Sequence, residues 1–148
     1  MKSLFKKISI ASDHAGYNLK ENIKKFLIKK EIKILDLGPK NNISVDYPDF
    51  AKKIARNVSS KKSNIGILVC GSGTGMAMSA NKFKKIRAVV CYNKSSTRLS
   101  RQHNNANILA LGARLTKKTD AIKFCLLYTS PSPRDQRGSG VAGWGWKK

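Results

Sequence analysis

The chain has 148 residues, 41% of them hydrophobic, and sets 30 Lys and Arg against 8 Asp and Glu for a formal net charge of +22. That length accommodates one domain with a real core and excludes two ordinary ones. No apolar run approaches a membrane span and "MKSLFKKISIASDH" has no segment long enough for a secretory signal, so a cytoplasmic protein with no membrane partner is expected. The lysines are spread in pairs ("FKKIS", "IKKFLIKK", "AKKIA", "SSKKSN", "KFKKIR", "TKKTD") with few aromatics between them to stack bases. The charge therefore reads as solubility and non-specific association, with no specific nucleic-acid partner.

In chain order, "KKISIAS" is a short β-branched strand, followed after Asp13 by a helical spacing of Leu19, Ile23, Phe26 and Leu27. "EIKILDLG" is a second strand, stopped by Gly38 and Pro39. "VDYPDFAKKIARNV" opens a helix with Asp46 or Tyr47 near the cap and Pro48 in the first turn. "IGILVCG" is a third strand, too uniformly apolar for a wet face, and a helix from Gly73 to Asn81 follows directly from its glycines. "IRAVVCY", "SSTRLSRQHNN", "NILALG" and "LTKKTDAIKFC" continue the alternation as strand, polar helix, strand and the start of a last helix. Five strands alternating with helices predict a three-layer α/β/α, Rossmann-like fold around a five-stranded parallel sheet. Ligands in such sheets sit beyond the carboxyl ends of the strands. Asp13 and His14, the Cys70–Gly75 turn and Arg114 all fall there, with His103 and Asn104 just before the fifth strand.

The turn "CGSGTG" is the strongest local signal. Glycines let peptide N–H groups approach a ligand, and the helix that follows adds positive potential, which suits an anion. The sequence fits neither a P-loop nor the dinucleotide spacing. A helix N-terminus also favours a thiolate, which makes Cys70 a candidate base or nucleophile; the plainer reading is a small buried hydrophobe. Cys91 and Cys125 keep the plainer reading, and with an odd cysteine count at no metal-ligand spacing, reduced thiols and no metal are expected. Asp13 and His14 also suit a helix cap, His103 a polar surface and Arg114 a surface charge. Their convergence on one sheet edge favours function.

Taken together, "IASDHAGYNLK", "DYPDFA", "GILVCGSGTGMAMSANKFKKIRAVVCYN" and "SRQHNNANILALGAR" resemble ribose-5-phosphate isomerase B, of the sugar-phosphate isomerase family that also includes galactose-6-phosphate isomerase subunits. The resemblance runs from about Lys7 to Arg114 and more weakly to Cys125. It implies interconversion of ribose 5-phosphate and ribulose 5-phosphate through an enediolate, with no metal or organic cofactor. Cys70 matches the family's base and His103 its ring-opening histidine. Asp13, His14, Tyr47, Asn104 and Arg114 match substrate contacts, Arg114 as a phosphate-binding guanidinium and Tyr47 as an aromatic wall. Gly71, Ser72, Gly73, Thr74 and Gly75 supply the anion hole. The resemblance further implies a homodimer, with a tetramer as the larger alternative, whose shared sites bring His103 and Asn104 to the neighbouring subunit's Cys70. The alternatives are an isomerase of a six-carbon sugar 6-phosphate and a non-catalytic sugar-phosphate-binding module with an inert Cys70.

From Leu126 onward, "LLYTSPSPRDQRGSGVAGWGWKK" contains no Asn or Ile but both tryptophans and two of the four prolines. This segment stands where the family has a "GGRHxxR"-like ending, and Arg134 and Arg137 lie outside that pattern. The domain is therefore expected over 1–125, with 126–148 a non-native, disordered tail lacking helix periodicity.

Overall fold

The computed structural model describes residues 7–43, 46–102 and 105–129. Its elements alternate as β1 (Lys7–Ser12), α1 (Tyr17–Lys29), β2 (Lys33–Asp36), α2 (Tyr47–Ser59), β3 (Ile65–Cys70), α3 (Thr74–Ala80), β4 (Ala88–Val90), α4 (Lys94–Gln102), β5 (Ile108–Gly112) and α5 (Lys118–Thr129). The strands form one sheet in the order β2-β1-β3-β5-β4, and every pair is parallel. The α/β architecture expected from the alternation is the one observed.

Parallel strands need crossover helices, and these cover the sheet on both faces, which is why every residue of "IGILVC" in β3 is buried. On one face Leu19, Ile23 and Leu27 of α1 and Phe124, Cys125 and Tyr128 of α5 pack on Ile8, Ile10, Ile67 and Val69. On the other, Ile54 and Val58 of α2 and Met76 and Ala80 of α3 pack on Ala11, Leu68 and Cys70. The helices after neighbouring strands β1 and β3 therefore leave toward opposite faces. That divergence falls at the carboxyl ends of those two strands, the place where open α/β sheets bind ligands.

Two elements differ from the expectation. β4 keeps only "AVV" of the apolar run "IRAVVCY": it is an edge strand paired with β5 alone, and Cys91 has already left it. At the other end, α5 does not stop at Cys125. Ala121, Phe124, Cys125 and Tyr128 continue one buried stripe across the composition break, and the Thr129 hydroxyl donates to the Cys125 carbonyl at 2.9 Å. The helical spacing was present there, but the change in residue usage obscured it.

Candidate active site

Cys70 ends β3 with its side chain toward α2 and α3, and the residue is only 5% exposed. Its Sγ accepts the Gly73 N–H at 3.0 Å, so a backbone dipole aims its positive end at the sulfur. The chain reverses at Gly73, whose φ of 85° is a conformation that side chains with a Cβ rarely adopt, and α3 starts at the next residue. The Thr74 N–H donates to Ser72 Oγ at 3.3 Å, while Ser72 and Thr74 are themselves exposed at the mouth of the turn.

β5 locks this turn from one side. The Ala113 N–H donates to the Cys70 carbonyl at 2.7 Å and the Arg114 N–H to the Gly71 carbonyl at 3.0 Å. The Arg114 guanidinium then folds back over the turn: a Cβ on Gly71 would meet Nη1 at 2.9 Å. From α2, the Tyr47 ring lies over Gly75, where a Cβ would meet Cε1 at 3.0 Å, and Tyr47 remains 42% exposed beside the turn. The bare backbone of the turn is thus the seat for two side chains delivered from elsewhere in the chain.

On the β1 side, the Asp13 N–H donates to the Val69 carbonyl at 3.1 Å, one residue before Cys70. Asp13 Oδ1 accepts the Gly16 N–H at 2.8 Å and closes the turn into α1. Asp13 is not itself the helix cap weighed from the sequence: Gly16 holds that position without a side-chain cap hydrogen bond, and Asp13 braces the turn that leads into it. Among the described residues Oδ2 takes no hydrogen bond, which leaves one oxygen for a ligand. His14 is exposed in the same turn. The structure thus gathers Cys70, the 71–75 turn, Asp13, His14, Tyr47 and Arg114 at one sheet edge; His103 and Asn104 lie outside the described residues.

The other two thiols sit in the opposite core layer. Burial pushes the Cys91 thiol up despite hydrogen bonds with Thr97 and Ser100, and burial with Cys91 nearby pushes Cys125 further up. Among the described residues, no group of three or more His, Cys, Asp or Glu side chains is placed to hold a metal ion. Nor is any helix among them long and apolar enough to cross a membrane. An open concavity of about 560 Å³ lined by Lys53, Arg56 and Lys62 runs along the outer side of α2, and none of the candidate site residues lines it. Convergent polar groups, not concavity, locate the candidate site.

One feature escaped the sequence reading. Lys20 is buried beside the end of β2 and paired with Asp36 and Glu21. The signal was available, since Lys20 is in helical phase with Ile23 and Leu27 on the stripe that faces the core.

The family model described as Ribose/Galactose Isomerase matches residues 8–139, a span that runs past the composition break. The chain belongs to the ribose/galactose isomerase family. Within that family, it is 43% identical over 110 residues to ribose-5-phosphate isomerase B of Escherichia coli K12, covering 74% of each chain. The structure of Clostridium thermocellum ribose-5-phosphate isomerase B aligns with a TM-score of 0.82 at 43% identity, covering 93% of this chain and 95% of that one. The Thermotoga maritima ribose 5-phosphate isomerase aligns with a TM-score of 0.82 at 41% identity, over 91% and 96% of the two chains. The resemblance read from the four motifs and the family found by comparison agree.

Proposed function

We propose that this protein interconverts ribose 5-phosphate and ribulose 5-phosphate, with Cys70 as the base. The observation that carries the reading is that a thiol, Cys70, and a cation suited to phosphate, Arg114, both lie against one glycine turn at the sheet edge. In the open-chain aldose, the Cys70 thiolate takes the proton from C2. The electron pair moves through the new C1–C2 double bond onto the aldehyde oxygen, giving an enediolate. Return of that proton to C1, with transfer of the hydroxyl proton from O2 to O1, leaves the ketose; no atom is gained or lost. Preorganised N–H donors over residues 71–75 stabilise the developing oxyanion, help typically worth about 3 kcal/mol for one donor.

The remaining residues hold the substrate. Arg114 pairs with the phosphate as a planar fork of donors, and His14 approaches the same group. Asp13 Oδ2 accepts sugar hydroxyls while Oδ1 keeps its turn closed, and the Tyr47 ring walls the sugar. His103 opens the furanose ring by acid–base transfer, and a histidine is the side chain whose ordinary pKa suits that task near neutrality. His103 and Asn104 serve the neighbouring subunit of a homodimer.

The test is aldose–ketose turnover of ribose 5-phosphate by the full chain, by Cys70→Ala, and by a form whose residues after Thr129 are replaced with a "GGRHxxR"-type ending. Turnover that disappears with Cys70→Ala supports the reading. If neither ending turns over ribose 5-phosphate, the five-carbon assignment is wrong. Turnover of a six-carbon sugar 6-phosphate instead would move the substrate within the family, and silence on both would favour a binding module.

A further inference from the structure

Lys20 Nζ is completely buried, yet nothing about helix packing demands an ammonium there: an apolar side chain of similar length would fill the place without the desolvation cost of a charge. What the ammonium adds is direction. It donates to Asp36 Oδ1 and Oδ2, each at 2.9 Å, and to the Pro39 carbonyl at 2.9 Å, and it pairs with Glu21 at 3.0 Å. Asp36 Oδ1 in turn accepts the Gly38 N–H at 2.9 Å. The Tyr17 hydroxyl reaches the same loop, donating to the Lys40 carbonyl at 3.1 Å. The connection leaving β2 is thus fastened to α1 chiefly through one buried cation.

That connection touches the candidate site in two places. The Gly38 carbonyl accepts the Ser12 N–H at 3.0 Å, and Ser12 is the residue immediately before Asp13. A Cβ on Gly38 would meet the Phe50 ring at 2.9 Å, and Phe50 lies in the first turn of α2, one turn after the Tyr47 that rests on Gly75. We propose that Lys20 is a positioning residue, which through Asp36 and the Gly38–Pro39 backbone sets the Asp13 turn and Tyr47 against the Cys70 turn. The proposal rests on the reading above, in which Asp13 and Tyr47 contact the sugar.

Lys24 provides the control. It binds Asp36 Oδ2 at 2.7 Å and Glu21 at 3.1 Å, and it makes no hydrogen bond to the Pro39 carbonyl. In the full chain, Lys20→Met should lower kcat/KM for ribose 5-phosphate about tenfold, mostly through KM, while Lys24→Met should stay within about twofold of the parent. Lys20→Met should also speed amide hydrogen exchange at Ser12 and Gly16 about tenfold, because those N–H groups bond to Gly38 and Asp13, while exchange at Ile23 in mid-α1 stays unchanged. In an Asp13→Asn background Lys20→Met should add little, since both act on one contact.

Equal kinetic effects of Lys20→Met and Lys24→Met would overturn the proposal, as would independent effects of Lys20→Met and Asp13→Asn. If Lys20→Met does not fold, Lys20→Gln carries the same expectations, because it retains a donor but loses the ion. A parent chain without turnover would sink the functional reading alone; the exchange at Ser12 and Gly16 would still decide whether Lys20 holds the Asp13 turn.

Discussion

Arg114 is attached to Gly71 at both of its ends: its N–H donates to the Gly71 carbonyl at 3.0 Å, and its guanidinium lies where a Gly71 side chain would be. The cation is therefore placed by the same turn that carries the thiol. Arg114→Lys keeps the charge and loses the planar fork, so KM for the sugar phosphate should rise about tenfold with kcat changed less. Gly71→Ala should show the same pattern with Arg114 intact, because the new methyl displaces the guanidinium. Unchanged KM in both variants by steady-state kinetics would remove Arg114 from the phosphate site.

Gly73 at φ 85° permits its N–H to face Cys70 Sγ, and a Cβ there would meet the Leu111 carbonyl carbon at 3.0 Å. Gly73→Ala is expected to cost about 1–3 kcal/mol of stability from backbone strain. A urea midpoint equal to the parent's would show that the turn relaxes freely.

Thiol chemistry separates the three cysteines. Burial raises Cys91 and Cys125 away from the thiolate form, whereas Cys70 lies at the sheet edge under a donated N–H. Iodoacetamide should label Cys70 in the folded protein, and ribose 5-phosphate should protect it; peptide mass analysis reads the position. Labelling of Cys91 or Cys125 ahead of Cys70 would contradict the arrangement.

Burial disfavours the Asp36 carboxylate, but hydrogen bonds from Lys24, Lys20 and the Gly38 N–H outweigh it and hold its pKa below the ordinary value; Glu21 is lowered in the same way by Lys20 and Lys24. A carboxyl that is more acidic when folded contributes stability above its unfolded pKa and loses it as pH falls through the folded one. Stability should therefore be insensitive to these groups near neutrality and should decline from about pH 4 downward. Asp36→Asn should flatten that decline in urea titrations across the range, and an unaltered acid slope would count against the network.

Tyr128, three residues past Cys125, is fully buried, packed in the core layer of α1 and α5 with the Arg101 guanidinium 5.7 Å from its ring centre. Tyr128→Ala should cost about 3–5 kcal/mol, as large aromatic truncations in cores do. A thermal midpoint within a degree or two of the parent's would mean that the helix beyond Cys125 adds nothing to the fold.

Hydrophobic pattern alone determined much of this protein. Uniform burial of "IGILVC", strand–helix alternation and the glycines after Cys70 follow from local rules, because the period of apolar residues reports which face is covered and Gly73 reports a backbone that others rarely adopt. The same rules ended the domain early at Cys125, since residue usage changed there while the buried stripe of α5 did not. They also passed over Lys20, reading a lysine as solvated when its partner Asp36 stands 16 residues away. Only the tertiary structure decided these pairings, together with the seating of Arg114 on Gly71 and Tyr47 on Gly75. Strand order and parallel register bring such residues together, and contacts between distant segments depend on that order, which periodicity within a segment does not encode.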